Sequence, residues 1–309
     1  MISLPGPVIA VVGPTAAGKS ALSLDLAHAL GGEVVNADSM QLYRGMDIGT
    51  AKLLPDERGG VPHHVLDIWD VTQSASVAVY QRLARAAIDD ILARGLVPLL
   101  VGGSGLYLRA VLEEFEFPGT DERLRADLEA QLAALGPAPL HARLAAADPA
   151  AAERILPSNG RRIVRALEVI SLTGETFMAR LPEPTPAYAG ISIGVDLDTG
   201  LLDARIAERV RRMWAAGFVE EVRDLETAGL RSGRTAARAL GYQQVLTMLA
   251  GACSETEAQE RTVQATRRFV RKQRSWFRRD PQVTWVDGGT EDLVTQTLKA
   301  VRSVTGLVR

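Results

Sequence analysis

The stretch Gly13-Pro-Thr-Ala-Ala-Gly-Lys-Ser20 decides the reading of this chain. It satisfies G-x-x-x-x-G-K-[ST] at every fixed position. The apolar run Val8-Ile-Ala-Val-Val12 ahead of it reads as a buried strand, and Ala21 to Leu30 behind it reads as a helix. Strand, glycine-bounded loop and helix is the setting that gives the pattern a physical meaning. Glycines let the backbone curl until several N–H groups point inward, and the helix start adds partial positive charge. Lys19 supplies a full charge, and Ser20 a hydroxyl suited to a divalent cation. Gly13, Pro14, Thr15, Ala16, Ala17, Gly18, Lys19 and Ser20 are therefore expected to form a socket for a diphosphate or triphosphate, the loop of nucleotide- and ATP-binding proteins.

Outward from that loop, Gly31-Gly32 ends the first helix and Glu33-Val-Val-Asn-Ala37 reads as a second strand. Asp38-Ser-Met-Gln41 lies just past its end. Ligands of a parallel α/β sheet sit beyond the carboxyl ends of the strands, so Asp38 is expected to face the same crevice as the loop. A capping role for this aspartate is the plainer alternative. Residues 43–52 read as a loop near the ligand. His63-His64 are adjacent, and neighbours in sequence face opposite sides of a strand, which argues against a shared metal site. Residues 76–94 read as a helix with Val79, Leu83, Ala87 and Ile91 on one face. Leu96 to Val101 is another buried strand, and Gly102-Gly-Ser-Gly105 follows it with no acidic residue at its end.

From about Pro118 to Pro186 helical periodicity replaces the alternation of strand and helix. Asp121 to Leu135, Leu140 to Ala147 and Arg161 to Ile170 read as helices. Three arginines near the start of the last oppose its dipole, which points to an anion contact. Leu181 to Pro186 reads as a stiff linker. Ile191 to Leu197 returns to the sheet. The fold class expected is α/β: a P-loop-type parallel sheet flanked by helices, with an all-helical insertion. The core takes residues 1–117 and 189–309, and the insertion takes 118–188.

Residues 202–217 read as an amphipathic helix on which Arg205 and Arg209 share a face. Residues 261–279 carry no acid, and Arg267, Arg271, Arg274 and Arg278 are spaced 4, 3, 4, one helical stripe. Like charges at that spacing repel. The stripe is therefore expected to meet a polyanion, and nucleic acid phosphates fit. The whole chain, with a formal net charge of −2 over 309 residues, supplies no general attraction for one. A single cysteine, Cys253, excludes an internal disulfide framework and a cysteine-rich zinc site. No apolar run reaches the roughly 18 residues of a membrane span, and the first residues lack the basic start of a signal peptide. A cytoplasmic protein without membrane association is expected.

Taken together, the loop, Asp38-Ser-Met-Gln-Leu-Tyr43, Met46-Asp-Ile-Gly-Thr-Ala-Lys52, Pro62-His-His64, Gly102-Gly-Ser-Gly-Leu-Tyr107, Arg161-Arg-Ile-Val-Arg-Ala-Leu-Glu168, Gly217-Phe-Val-Glu-Glu221, Leu240-Gly-Tyr-Gln243 and Lys272-Gln-Arg-Ser-Trp-Phe277 resemble the tRNA dimethylallyltransferase family in content and order. The likeness spans nearly the whole chain. It departs from the family habit in Leu53-Leu54 ahead of Pro55, and in Gln243 where arginine is common.

The resemblance implies transfer of a five-carbon allyl group from dimethylallyl diphosphate to N6 of the adenosine 3′ of the anticodon, assisted by Mg2+. It implies Asp38 as the base. It assigns Thr15, Lys19 and Ser20 to the diphosphate or its metal, with Arg205 or Arg209 on the same leaving group. The anticodon stem-loop partner is expected to touch Asp38, Ser39, Met40, Gln41, Ser104, Arg123, Ser158, Asn159, Gly160, Arg161, Arg162, Gly241, Tyr242, Arg267, Arg271 and Lys272. A monomer is expected. Adenylate isopentenyltransferase and a small-molecule P-loop kinase are the alternatives. Neither accounts for the basic stripe.

Overall fold

The computed structural model describes residues 7–114, 117–177 and 185–306. The chain divides into a core unit, Met1–Glu113 with Pro186–Arg309, and a second unit, Glu114–Thr185. In the core unit, β1 (Val8–Val12), β2 (Gly32–Asn36), β3 (His63–His64), β4 (Val97–Val101), β5 (Gly190–Asp196) and β6 (Val283–Asp287) form one sheet in the order β3-β2-β4-β1-β5-β6. Every pairing is parallel. The helices in chain order are α1 (Lys19–Leu30), α2 (Val77–Ala93) and α3 (Gly105–Leu112) in the core. The second unit holds α4 (Glu122–Leu135), α5 (Pro137–Ala147), α6 (Pro149–Arg154) and α7 (Gly160–Thr173). The core resumes with α8 (Thr199–Ala215), α9 (Phe218–Thr227), α10 (Tyr242–Leu249), α11 (Glu255–Phe277) and α12 (Leu293–Thr305).

Every residue of β1 is apolar because both faces of the sheet are covered. Val8, Ala10 and Val12 join a cluster with Tyr80 of α2, Leu108 of α3, Val210 of α8, Phe218 of α9 and Phe277 of α11. Ile9 and Val11 join the opposite cluster with Leu22 and Leu26 of α1 and Val301 of α12. The face of α2 is displaced from the one expected. Tyr80, Ala84, Ile88 and Ile91 are buried, whereas Leu83 is exposed. The Tyr80 hydroxyl donates to the Asn36 carbonyl at 2.8 Å. An aromatic ring with a buried polar tip thus sets the helix rotation that an aliphatic count assigned to Val79 and Leu83.

Parallel strands bring three loops together at one sheet edge: those after β2, β4 and β1, which lie side by side. Gly102 permits the closest approach there. A Cβ on it would lie 2.3 Å from the Ala37 carbonyl carbon. The chain leaves the core after α3 and returns before β5 through adjacent residues. Glu113 and Pro186 form an antiparallel bridge, and the Ala187 N–H donates to the Leu112 carbonyl at 2.8 Å.

The second unit has its own apolar core, including Leu128, Leu140, Leu144, Ile163 and Leu167. Gly136 ends α4, and Pro137 then starts α5 three residues ahead of the expected Leu140, since proline suits the first helical position. The reading of three arginines as anion contacts needs correction at Arg165. Its guanidinium donates to buried Glu168 at 2.9 Å and to the carbonyls of Pro118 and Gly119 at 2.7 and 3.0 Å. Arg125 donates to the same carboxylate at 2.6 Å. Arg165 is therefore part of the unit's internal framework. The expected linker at Leu181 to Pro186 falls largely outside the described residues.

Candidate active site

The anion cradle is built by backbone conformation. Gly13 has φ +132°, and a Cβ there would lie 2.2 Å from the Val195 carbonyl oxygen of β5. Only glycine fits. Ala16 and Gly18 also adopt positive φ, +68° and +103°. Gly18 caps α1 without any side-chain bond. The N–H groups of Gly18, Lys19, Ser20 and Ala21 accordingly find no acceptor among the described residues. Unpaired donors at a helix start are chemically suited to an anion. The Lys19 ammonium turns back to the Pro14 carbonyl at 2.7 Å. Burial pushes its pKa down to about 8, the Asp38 carboxylate opposing and Arg209 adding to the shift.

Asp38 lines the same cavity as the loop, a cavity of about 720 Å³. Its orientation is fixed locally. Its N–H donates to Asn36 Oδ1 at 2.9 Å, and its Oδ1 accepts from the Met40 N–H at 2.9 Å. Asn36 Nδ2 holds the Asp38 carbonyl at 3.1 Å. The second carboxylate oxygen, Oδ2, takes no hydrogen bond among the described residues. Beside Asp38, the Ser104 hydroxyl accepts from the Ser39 N–H at 3.2 Å and pairs with the Ser39 hydroxyl at 3.2 Å. Ile48, Leu66 and Met213 supply apolar wall.

The loop Asp47 to Lys52 forms the third side, and residues distant in sequence hold it. The Glu221 carboxylate accepts from the N–H groups of Asp47, Ile48 and Gly49 at 3.1, 2.6 and 3.2 Å. Buried Lys52 donates to Asp47 and Asp67 at 2.6 and 2.5 Å and to the Tyr43 carbonyl at 3.0 Å. Gly49 has no room for a side chain, since a Cβ would meet Phe218 at 2.3 Å. Gln41 Nε2 donates to the Thr50 carbonyl at 3.2 Å, and Arg209 Nη2 reaches the same oxygen at 3.0 Å. Burial lowers the Arg209 pKa, with Asp38 opposing. Arg209 is thus the half-buried arginine facing Asp38. Arg205 lines the cavity but is exposed.

The basic stripe is not what its spacing suggested. Arg274 donates to Asp196 Oδ1 at 2.8 Å, to Thr199 Oγ1 at 2.8 Å and to the Leu197 carbonyl. Arg278 donates to Asp196 Oδ2 at 3.0 Å, and Arg267 pairs with Asp203 at 3.3 Å. Acids from β5 and α8 therefore relieve the repulsion that the helix alone implied. Arg271 and Lys272 are exposed and form no ion pair among the described residues. Two further expected tRNA contacts are turned inward. Tyr242 is fully buried with its hydroxyl on Glu221 at 2.6 Å, and a Cβ on Gly241 would meet Phe218 at 2.9 Å. On the second unit, Arg123, Ser158, Asn159, Arg161 and Arg162 are exposed. Asn159 also caps α7 by accepting from the Arg162 N–H at 3.3 Å, and Gly160 packs on Leu132.

His63 and His64 do not share a metal. His64 Nε2 pairs with Glu33 at 2.7 Å, while His63 Nδ1 meets the Val61 carbonyl at 2.9 Å. Arg94 forks onto the same Glu33, and with His64 it holds that carboxyl down at about 2 against the cost of burial. Among the described residues no cluster of three or more His, Cys, Asp or Glu could hold a metal ion, and no helix is long and apolar enough to cross a membrane. Sequence reasoning missed Glu221, Lys52 and Gln273 as builders of the site. Each lies in a motif quoted for the resemblance, but their partners are set by folding.

The IPP transferase family matches residues 41–280. The chain belongs to that family. A tRNA dimethylallyltransferase of Salinispora arenicola is 72% identical over 298 residues, covering 96% of this chain and 87% of that protein. One from Streptomyces avermitilis is 67% identical, covering 94% and 93%. Among solved structures, a tRNA isopentenylpyrophosphate transferase from Bacillus halodurans superposes with a TM-score of 0.72 at 40% identity, covering 97% of this chain and 96% of that one. A eukaryotic dimethylallyltransferase acting on tRNA gives 0.83 at 26% identity, covering 96% and 79%. As an IPP transferase the protein is an enzyme with the P-loop α/β fold. That membership removes the small-molecule kinase reading.

Proposed function

We propose that this IPP transferase moves the dimethylallyl group of dimethylallyl diphosphate onto N6 of the adenosine 3′ of the anticodon in tRNA. The observation that carries the reading is the shared cavity of Asp38, Lys19 and Arg209. An adenine amine is a weak nucleophile because its lone pair is delocalised into the ring. Asp38 takes the N6 proton as the N–C bond forms, through the oxygen left without an internal partner. The allylic C–O bond breaks, and the departing diphosphate carries the electron pair. The free N–H groups of the loop, Lys19 and Arg209 offset the charge that develops there. Thr15 lines the same cavity, and Arg205 stands at its exposed side.

Mg2+ fits the donor set. Ser20 lines the cavity, and its hydroxyl takes no hydrogen bond among the described residues; the absence of a protein cage suits an ion that keeps waters and substrate phosphate oxygens. Bound there through Ser20, it would add positive charge beside the diphosphate. The adenine must leave the anticodon stack to reach Asp38, as for other enzymes that work on a base. Ser39, Met40, Gln41 and Ser104 edge its entry. Exposed Arg271, Lys272, Arg123, Arg161 and Arg162 are the phosphate contacts in this reading, with tRNA the partner of a monomeric, cytoplasmic enzyme.

The test is incubation with dimethylallyl diphosphate, Mg2+ and unmodified tRNA, followed by nucleoside mass analysis. A dimethylallyl adenosine at the position 3′ of the anticodon is expected. Prenylation of free adenylate with tRNA left untouched would favour the adenylate isopentenyltransferase reading.

A further inference from the structure

Gln273 lies in the charged run of α11, directly after exposed Arg271 and Lys272, yet it is 5% exposed. Its amide reaches two separate segments of the active crevice. Oε1 accepts from the Thr15 N–H at 3.0 Å, and Nε2 donates to the Gly103 carbonyl at 3.0 Å. The glycine is shaped for this contact: a Cβ on Gly103 would lie 2.3 Å from Nε2. One side chain therefore ties the loop that follows β1 to the loop that follows β4. The first loop carries Lys19. The second carries Ser104, which holds Ser39 beside Asp38.

From this geometry we infer that Gln273 is a positioning residue that fixes the spacing between the diphosphate cradle and the base-side wall. The inference rests on the prenyl-transfer reading above. The Thr15 N–H then belongs to the clasp and is not a diphosphate donor, so the anion is left to the loop N–H groups without an acceptor among the described residues, that of Ala16 and those from Gly18 onward. The side chain must accept from the Thr15 N–H and donate to the Gly103 carbonyl at once, which an amide does and an ionised carboxylate cannot. Neither contact touches substrate, so each substrate can still bind when the clasp is lost. What changes is the alignment of the attacking nitrogen with the allylic carbon, a geometry whose error of about 1 Å costs on the order of a hundredfold in rate.

Two variants test this. Gln273→Met keeps length and removes both bonds. It is expected to lower kcat about tenfold to a hundredfold, while KM for each substrate and the affinity for inorganic diphosphate change less than about threefold by the same argument. Gln273→Glu keeps the acceptor for Thr15 but sets a carboxylate against the Gly103 carbonyl. Burial raises the pKa of such a carboxyl, and once protonated it can donate as the amide does. The ratio of this variant's kcat to that of the unaltered enzyme should rise as pH falls from about 8 to about 6, a rescue that loss of packing would not give. Amide hydrogen exchange at Thr15 should be slowed in the unaltered enzyme and fast in Gln273→Met. A kcat for folded Gln273→Met within about twofold of the unaltered enzyme overturns the inference, as does a pH-independent ratio for Gln273→Glu. If the unaltered enzyme transfers no prenyl group, it is the functional reading that fails; the exchange measurement then still decides the clasp, and an unprotected Thr15 amide overturns it.

Discussion

The Tyr242 hydroxyl donates to Glu221 Oε1 across 2.6 Å, below three backbone N–H groups that converge on the same carboxylate. Glu221 thus acts as an anion bound by the protein's own loop. Its satisfaction by four donors explains how a loop with a single glycine in Asp47 to Lys52 keeps one shape.

Removing the charge of Glu221 should loosen that loop. Glu221→Gln keeps the volume but turns an amide into a nest of donors, and a cost of about 2–3 kcal/mol is expected for lost charge-assisted bonds. Tyr242→Phe removes one donor and should cost about 1 kcal/mol. Urea denaturation measures both, and equal stability of all three proteins would contradict the account.

Asp38→Asn should preserve the local turn, since its carbonyl oxygen can still accept from the Met40 N–H. Transfer is expected to fall about 10²–10⁴-fold, the range for loss of a general base. Binding of inorganic diphosphate, followed by calorimetry, should be retained. Its loss together with activity would reassign Asp38 to holding the anion.

Lys19 gives a pH signature with a defined sign. Its pKa is lowered to about 8 in the ligand-free fold against the ordinary 10.5. Between those values the unfolded chain binds more protons, so this residue's contribution to stability increases as pH rises through that window. Diphosphate binding has the opposite dependence because it needs the charged form. Affinity for inorganic diphosphate should fall above about pH 8. Lys19→Met should bind weakly and lack that step.

The arginines of α11 should separate into two kinds. Arg271→Ala and Lys272→Ala are each expected to reduce the salt dependence of tRNA binding by about one unit of slope without altering stability. Arg274→Ala breaks a mostly buried pair with Asp196 and should cost about 3 kcal/mol. Filter binding at several salt concentrations, with thermal denaturation alongside, distinguishes them. Uniform behaviour of the three variants would contradict the division.

How much of this was legible in the sequence depends on the range over which each feature is determined. The loop after β1 was legible because its conformation and its donors are local: two glycines, a strand before and a helix after. Asp38 was legible because parallel strands expose their carboxyl ends together. The stripe on α11 misled because periodicity describes one helix at a time. Asp196 and Asp203, which neutralise it, lie about 70 residues upstream on other elements. Tyr242 was misplaced and Gln273 missed for the same reason, polar side chains whose partners arrive only through tertiary packing. The rotation of α2 failed on Tyr80, which lies off the face of Val79, Leu83, Ala87 and Ile91 although its ring is wholly buried.

The hydrogen-bonded pairing of Leu112 and Glu113 with Ala187 and Pro186 has a bearing on how this enzyme can be altered. The core circuit is closed at that point before the helical segment is considered. The core pairing is made by residues on either side of positions 114–185, so a change of length within that stretch leaves these core hydrogen bonds in place.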